Sequence, residues 1–373
     1  MKRRDSKRCS PTTSPLPSVR KDDWVRELWE SDGVAARAGR VALAPLEVLF
    51  AAVSSARGSL YDAGVLAAHP TAIPALAIGN LTVGGTGKTP VAAWFARRLR
   101  EAGATPAVVL RGYGDDEPEV HRTLNPDVEV VVSPDRVAGS AEAKRRGCDV
   151  AVLDDAFQHR RAARVVDVVV ISADAWRDDG RHLLPAGPWR ERLGAVRRAS
   201  LAVVTRKAAP SERAVVVCES IARAARTPCA IVHLAAGDLV LIGRPSRIAL
   251  ESLGGQSVLA ISAIGDPAAF HAQLEAAGAR LTSAAFRDHH PFTLADVASL
   301  VRDAANHDRV VCTLKDAVKL GTLWPGSTPL WYVSQRFDVE RGADLLNDVV
   351  FRMLAARSAS TTSGLPGAPG PAD

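Results

Sequence analysis

Short runs of aliphatic and β-branched residues recur along the chain and alternate with stretches of helical period. The runs Ile73–Ile78, Ala107–Leu110, Val150–Leu153, Val166–Ile171, Leu201–Thr205, Ala230–His233, Val258–Ser262, Val310–Thr313 and Leu330–Val333 predict strands. They are nearly continuous in apolar character rather than alternating, which is the pattern of parallel strands covered on both faces. Between the first two runs, Val91, Trp94, Phe95 and Leu99 form the stripe of a helix. Leu345, Leu346, Val349, Val350, Met353 and Leu354 predict a last one. The pattern therefore predicts an α/β fold with a mostly parallel sheet and helices on both faces. The Gly/Pro/Arg stretch Ala236–Pro245 marks the expected boundary between a larger unit over 22–236 and a smaller α/β unit over 237–357.

The ends differ from this pattern. Residues 1–21 and 358–373 are rich in Ser, Thr, Pro or Gly with little to bury, and both are expected to be disordered. From Trp24 to about Gly58 the period is helical, with an apolar run of about 13 residues, Val41–Val53, interrupted by Pro45 and Glu47. A membrane span needs roughly 20 apolar residues, so this run is expected not to cross a bilayer. Two readings stand: an arm packed on the core, or an amphipathic helix lying on a membrane surface.

Composition sharpens the picture in two places. With 373 residues, 47% apolar and 24% charged, the chain is long enough for two packed units, and collagen-like, disordered and coiled-coil classes are excluded. The formal charge of +6 suggests an anionic partner, yet residues 1–21 carry seven Lys/Arg against Asp5 alone. The remainder holds 40 basic and 40 acidic residues, so the excess belongs to the tail, and no nucleic-acid partner is expected. Cys9, Cys148, Cys218, Cys229 and Cys312 are odd in number and scattered. They are expected to be reduced thiols of a cytoplasmic protein, with neither zinc nor a signal peptide in evidence.

The strongest chemical signal is IPALAIGNLTVGGTGKTP at Ile73–Pro90: an apolar strand, a glycine-rich loop, then a helix. Gly84, Gly85, Thr86 and Gly87 let successive amides point into a concavity at a helix N-terminus, which suits phosphate. Lys88 can reach β- and γ-phosphates, and the Thr89 hydroxyl can hold Mg²⁺. Thr82 stands where such loops usually begin with glycine. This is a nucleotide site, and the fold class becomes a P-loop NTPase-like sheet domain plus the smaller α/β unit. A strand ending in Asp154-Asp155 supplies hard oxygens for the metal at the same edge of the sheet. The alternative is that these acids cap the next element. Gln158 and His159 could orient the acids or the phosphates.

GNLTVGGTGKTP, LRGYG (Leu110–Gly114), DEP (Asp116–Pro118), LDDAFQH, LLPAGPWRE (Leu183–Glu191), RDHHPF (Arg287–Phe292) and TLKDAVKL (Thr313–Leu320) follow one another in this order. In that combination the chain resembles the tetraacyldisaccharide 4'-kinase family over about residues 40–335. The resemblance implies transfer of the γ-phosphoryl of ATP to the 4'-hydroxyl of a tetraacylated glucosamine disaccharide 1-phosphate in lipid A biosynthesis. It implies Mg²⁺ as cofactor, with the reaction at the cytoplasmic face of the bacterial inner membrane on a peripherally bound enzyme. It also implies that Asp116 acts on the acceptor hydroxyl, that His289 pairs with it, and that Lys88, Thr89, Asp154 and Asp155 serve ATP and metal. Asp115 stands where the family usually has Gly, the loop before Asp116 is short, and Leu314 replaces a usual Glu.

Phosphoryl transfer needs positioning and charge neutralisation, and a sugar hydroxyl needs a base. Arg111, Arg190 and Arg192 could hold phosphate by bidentate hydrogen bonds, and His182 and Glu191 fall at an expected cleft edge. The substrate's acyl chains bring the enzyme to the bilayer, where the helix at 34–55 and the basic tail are the expected contacts. The alternatives are a kinase for another amphipathic sugar and a nucleotide-binding regulator without an acceptor base. The sequence leaves the oligomeric state open.

Overall fold

The computed structural model describes residues 21–112, 116–177, 181–265 and 267–362. Residues 1–20 of the tail expected at 1–21, Asp115 and residues 363–373 lie outside the described residues, Cys9 among them, whereas Lys21 begins the first helix.

Two helices come first among the described residues, α1 (Lys21–Glu30) and α2 (Val34–Asp62). Then follow β1 (Ala75–Asn80), α3 (Lys88–Glu101), β2 (Pro106–Leu110), α4 (Asp116–Leu124), β3 (Glu129–Val132) and α5 (Arg136–Arg145). Next come β4 (Val150–Leu153), β5 (Val166–Ser172), β6 (Leu201–Arg206), α6 (Ser211–Ala225), β7 (Cys229–Leu241) and β8 (Arg247–Ile248). The chain closes with β9 (Ser257–Ser262), α7 (Pro267–Ala276), β10 (Arg280–Ala285), α8 (Leu294–Ala304), β11 (Arg309–Cys312), α9 (Leu314–Leu320), β12 (Trp331–Arg341) and α10 (Ala343–Thr362).

All strands join one sheet in the order β10-β9-β11-β12-β7-β6-β5-β1-β4-β2-β3, with β8 attached to β7. Pairing is parallel throughout except at β7, which runs antiparallel to both β12 and β8. β7 passes straight through residue 236, so the strands on either side of it share one continuous sheet. Its ladder with β12 carries two register shifts, at Val333/Gln335 and at Val339/Arg341.

The apolar runs are explained by two-sided burial. Leu76 and Ile78 of β1 meet Val91, Phe95 and Leu99 of α3 on one face, where Met353 of α10 also packs. Ala75 and Ala77 face the other way, toward Val109, Leu153 and Ala143. Farther along the sheet, Val169, Ile171 and Val204 pack on Val217 and Ile221 of α6. Leu259, Ile261 and Val310 meet Val297 and Leu300 of α8.

Three expectations are corrected. Cys218 and Cys229 form a disulfide, because α6 turns directly back into β7 and brings their Cα atoms to 5.8 Å; Cys148 and Cys312 are buried free thiols. The last helix continues to Thr362, beyond the expected end at 357. The helical arm contains one 29-residue helix, α2, which by length and composition is enough to cross a membrane. Its length is therefore greater than the apolar run Val41–Val53 implied. It is held against the body along one side: Glu47 binds His182 and the Leu183 amide, Arg57 reaches the Gln158 carbonyl, and Ala51 is buried. The opposite side exposes Val34, Val41, Val48, Leu49, Val53 and Leu60. One face of the arm is thus packed on the body, and the opposite one is an exposed apolar stripe.

Candidate active site

β1, β4 and β2 lie side by side, so their C-terminal ends present the glycine-rich loop, Asp154-Asp155 and the approach to α4 along one edge. This is where an open parallel sheet binds its ligand. A cleft of 510 Å³ opens there, lined by Val83–Pro90, Asp154, Asp155 and Arg190 on one side. Ile264, Phe270, His289, Leu314, Lys315 and the β12 residues Val333, Ser334 and Gln335 line the other.

The loop is held from beneath. The Asn80 amide donates to the Thr86 hydroxyl at 2.9 Å, the Thr205 hydroxyl donates to the Thr86 carbonyl at 2.8 Å, and Gln158 Nε2 donates to the Asn80 carbonyl at 2.7 Å. Gly87 has φ +85°, and a Cβ there would lie 2.5 Å from Leu234 Cδ1, so only glycine fits both the turn and the space. α3 starts at the next residue, directing its N-terminal amides and Lys88 into the cleft. Of the two residues assigned an orienting part in the sequence, Gln158 supports the loop backbone. His159 lies off the cleft, where burial and the nearby Arg136 charge lower its pKa.

Asp154 is buried, with Oδ2 2.9 Å from His121 Nε2 and Oδ1 accepting the Asp155 amide at 2.8 Å. Burial alone would raise its pKa, but the His121 hydrogen bond and charge and the Lys88 charge outweigh this and hold it below the usual carboxylate range. Asp155 has φ +48°, a left-handed turn that Asp tolerates better than most residues. Its carboxylate lies 3.7 Å from Lys88 Nζ and 3.2 Å from Arg190 Nη1. Thr89, Asp154 and Asp155 therefore bring only hard oxygens to the cleft. No group of three His/Cys/Asp/Glu suited to a metal occurs among the described residues. Such a donor set fits Mg²⁺ arriving on a nucleotide, since this ion keeps several waters and takes only one or two protein carboxylates.

Across the cleft the structure brings together two residues 173 positions apart. Asp116, at the start of α4, is buried with Oδ2 3.5 Å from His289 Nδ1 and 3.7 Å from Lys319 Nζ. Burial opposes ionisation here, yet the His289 contact and the Lys319 charge prevail and lower the Asp116 pKa to about 2. The same contact raises the His289 pKa. His289 lines the cleft, with φ +56° aiming it inward from its loop, while Asp116 stands behind it. Burial and the Asp154 charge also raise the pKa of cleft-lining Glu117.

Of the candidate arginines, Arg111 and Arg190 line the cleft, whereas Arg192 is exposed and away from it. His182 and Glu191 are structural, bound to Glu47 and Arg198 respectively. The segment between them pairs with the loop itself: Val83 N–H donates to the Pro188 carbonyl and Arg190 N–H to the Leu81 carbonyl. Sequence reasoning missed His121, Asn80 and Lys319. His121 falls in no motif, while Lys319 and Asn80 fall inside the TLKDAVKL and GNLTVGGTGKTP segments without a local sign of their partners.

The family model for tetraacyldisaccharide-1-P 4'-kinase matches residues 39–127 and 115–353 of this chain. The chain is 39% identical over 355 residues to a tetraacyldisaccharide 4'-kinase of Anaeromyxobacter sp. (strain K), spanning 85% of this chain and 92% of that protein. It is 32% identical over 335 residues to the one of Aromatoleum aromaticum, spanning 84% and 93%. The crystal structure of LpxK from Aquifex aeolicus in complex with ATP matches with a TM-score of 0.67 at 25% identity, over 84% of this chain and 99% of that one. With loop, acid pair and dyad in one cleft and most of its length matched, this chain belongs to the tetraacyldisaccharide-1-phosphate 4'-kinase family.

Proposed function

We propose that this chain transfers the γ-phosphoryl of ATP to the 4'-hydroxyl of a tetraacylated glucosamine disaccharide 1-phosphate. The observation that carries this reading is the Asp116–His289 pair facing the phosphate loop across a single cleft. A nucleotide switch would need the loop and the acid pair but no base opposite them. The loop amides and Lys88 bind and orient the phosphates, and Arg190 holds Asp155 beside Lys88. Mg²⁺, held through Thr89, Asp154 and Asp155, would supply charge neutralisation on the phosphates. The resemblance implies that Asp116 acts on the acceptor hydroxyl, but His289 lines the cleft and Asp116 stands behind it. The roles are therefore exchanged: His289 presents its imidazole to the hydroxyl and takes its proton. Asp116 orients the ring through Nδ1 and stabilises the imidazolium.

Peripheral binding at the cytoplasmic face of the inner membrane forms part of the same proposal. Val34, Val41 and Val48 recur every seven residues on the outer face of α2, with Leu49, Val53 and Leu60 beside them, all exposed. Acyl chains favour the bilayer by about 0.8 kcal/mol per CH₂, so such a substrate is met at the membrane surface.

The test is a mass-spectrometric assay with ATP, Mg²⁺ and a tetraacyl disaccharide 1-phosphate in detergent micelles. The product gains one phosphate with the native chain and none with Lys88→Ala or His289→Ala. No product from the native chain would overturn the proposal.

A further inference from the structure

Behind the dyad lies a buried charge cluster to which the chemistry above gives no part. Lys319 of α9 extends its ammonium between two buried carboxylates, 3.7 Å from Asp116 Oδ2 and 3.8 Å from Asp316 Oδ1, beside the Phe292 ring. Asp316 is fully buried; its Oδ2 accepts the Thr313 hydroxyl at 2.6 Å and the Ala263 amide at 3.1 Å. The Ala263 carbonyl in turn accepts the His289 amide at 3.2 Å. These contacts close a ring: Asp116, Lys319, Asp316, Ala263, His289 and back to Asp116. The ring joins α4, which follows β2, to α9 and the loops after β9 and β10.

Burying a lysine is costly unless it is paired. The Thr313 hydroxyl already caps α9, accepting the Asp316 amide, and helix stability gives no reason for a cation that reaches across to α4. We propose, building on the reading of Asp116–His289 as the base pair, that Lys319 is a positioning residue. Bridged by Asp316, it fixes the Asp116 carboxylate against His289 Nδ1 while Asp316 fixes the His289 backbone.

The charges facing Asp116 are His289 from the loop after β10, Lys319 and Lys315 from α9 with Asp316 behind them, and Glu117 on its own helix; Asp288 lies 3.9 Å from His289 Nε2. Removing Lys319 takes away a cation that disfavours a proton on Asp116 and frees the carboxylate from its place against His289 Nδ1. The contact that raises the His289 pKa then weakens, and the acid limb of the pH–rate profile moves to lower pH.

The test is Lys319→Met, with kcat, KM for ATP and the pH profile of kcat/KM measured in micelles beside Lys319→Arg and Asp116→Ala. We expect kcat to fall about 10²-fold, the cost of a misplaced catalytic group. KM for ATP stays unchanged because Lys319 does not line the cleft. The acid limb falls to lower pH, and Lys319→Arg restores part of both effects. If Lys319→Met lacks the native circular dichroism spectrum, Lys319→Gln carries the same expectations. Native kcat and pH profile in the Lys319 variants, alongside an inactive Asp116→Ala, overturn this proposal alone. An Asp116→Ala enzyme with native turnover overturns the dyad reading and this proposal with it.

Discussion

Replacing His121 by alanine probes whether Asp154 owes its ionised state to one buried neighbour. The imidazole is fully buried and supplies the 2.9 Å contact to Asp154 Oδ2, while the Asp155 amide serves only Oδ1. His121→Ala thus leaves a buried carboxylate oxygen without a partner. Breaking a buried pair from one side costs about 3–5 kcal/mol; a hydrogen bond to a charged group accounts for about 1.5–3 kcal/mol of this. His121→Gln, which keeps an N–H donor, recovers part of the loss. The pH dependence gives a second handle. The Asp154 pKa is lowered in the folded chain, so its contribution is present above the unfolded value of about 3.9 and is lost as pH falls through the folded value. The deficit of His121→Ala is therefore largest at neutral pH and shrinks on acidification. Urea unfolding followed by tryptophan fluorescence from pH 7 down to about pH 2 measures both. A loss below about 0.5 kcal/mol at pH 7, or a deficit that grows in acid, would refute the reasoning.

Gly87→Ala forces a left-handed alanine and a 2.5 Å contact with Leu234; we expect loss of ATP binding, read by fluorescent-nucleotide titration, with the fold retained. Because the His289 pKa is raised by Asp116, kcat/KM should decline on acidification from a pH above the ordinary histidine value of about 6.5. Asp116→Asn should move that limb downward while lowering kcat, and an unmoved limb counts against the pair. Cys218→Ser removes a cross-link over 11 residues, with an expected loss of about 2–3 kcal/mol. Intact-mass analysis before and after reduction checks that the bond is present in the purified protein.

The central strands were legible because burial on both faces makes them read as unbroken apolar runs. β10 was not, since Arg280–Ala285 is an edge strand with most residues exposed and no apolar stripe. The extension of β7 through Gly237 and Asp238 was hidden for a related reason: the partner strand β12, not local propensity, holds it extended. At the site, the loop and acid pair are local signals, each a strand end followed by its ligands. The pairing of Asp116 with His289 was implied by family resemblance alone, because it depends on the start of α4 meeting the loop after β10, a contact between distant segments. His121 and Lys319 carry no spacing signal, as each acts through a neighbour supplied by tertiary packing. The disulfide was misread because scattered cysteines look unpaired until a helix-to-strand reversal sets two of them side by side.

The continuity of the sheet has a mechanical consequence. Two bodies on a loose tether can swing freely, but the halves here share β7 and β12, strands of 13 and 11 residues. Any change in the width of the cleft must be taken up elastically, as twist and bend in that ribbon. Its weak point is where the ladder is already broken, at Val333/Gln335, and those residues form part of the cleft wall. The ribbon acts as a leaf spring whose softest spot forms part of the cleft wall, so strain between the halves is felt first at the cleft.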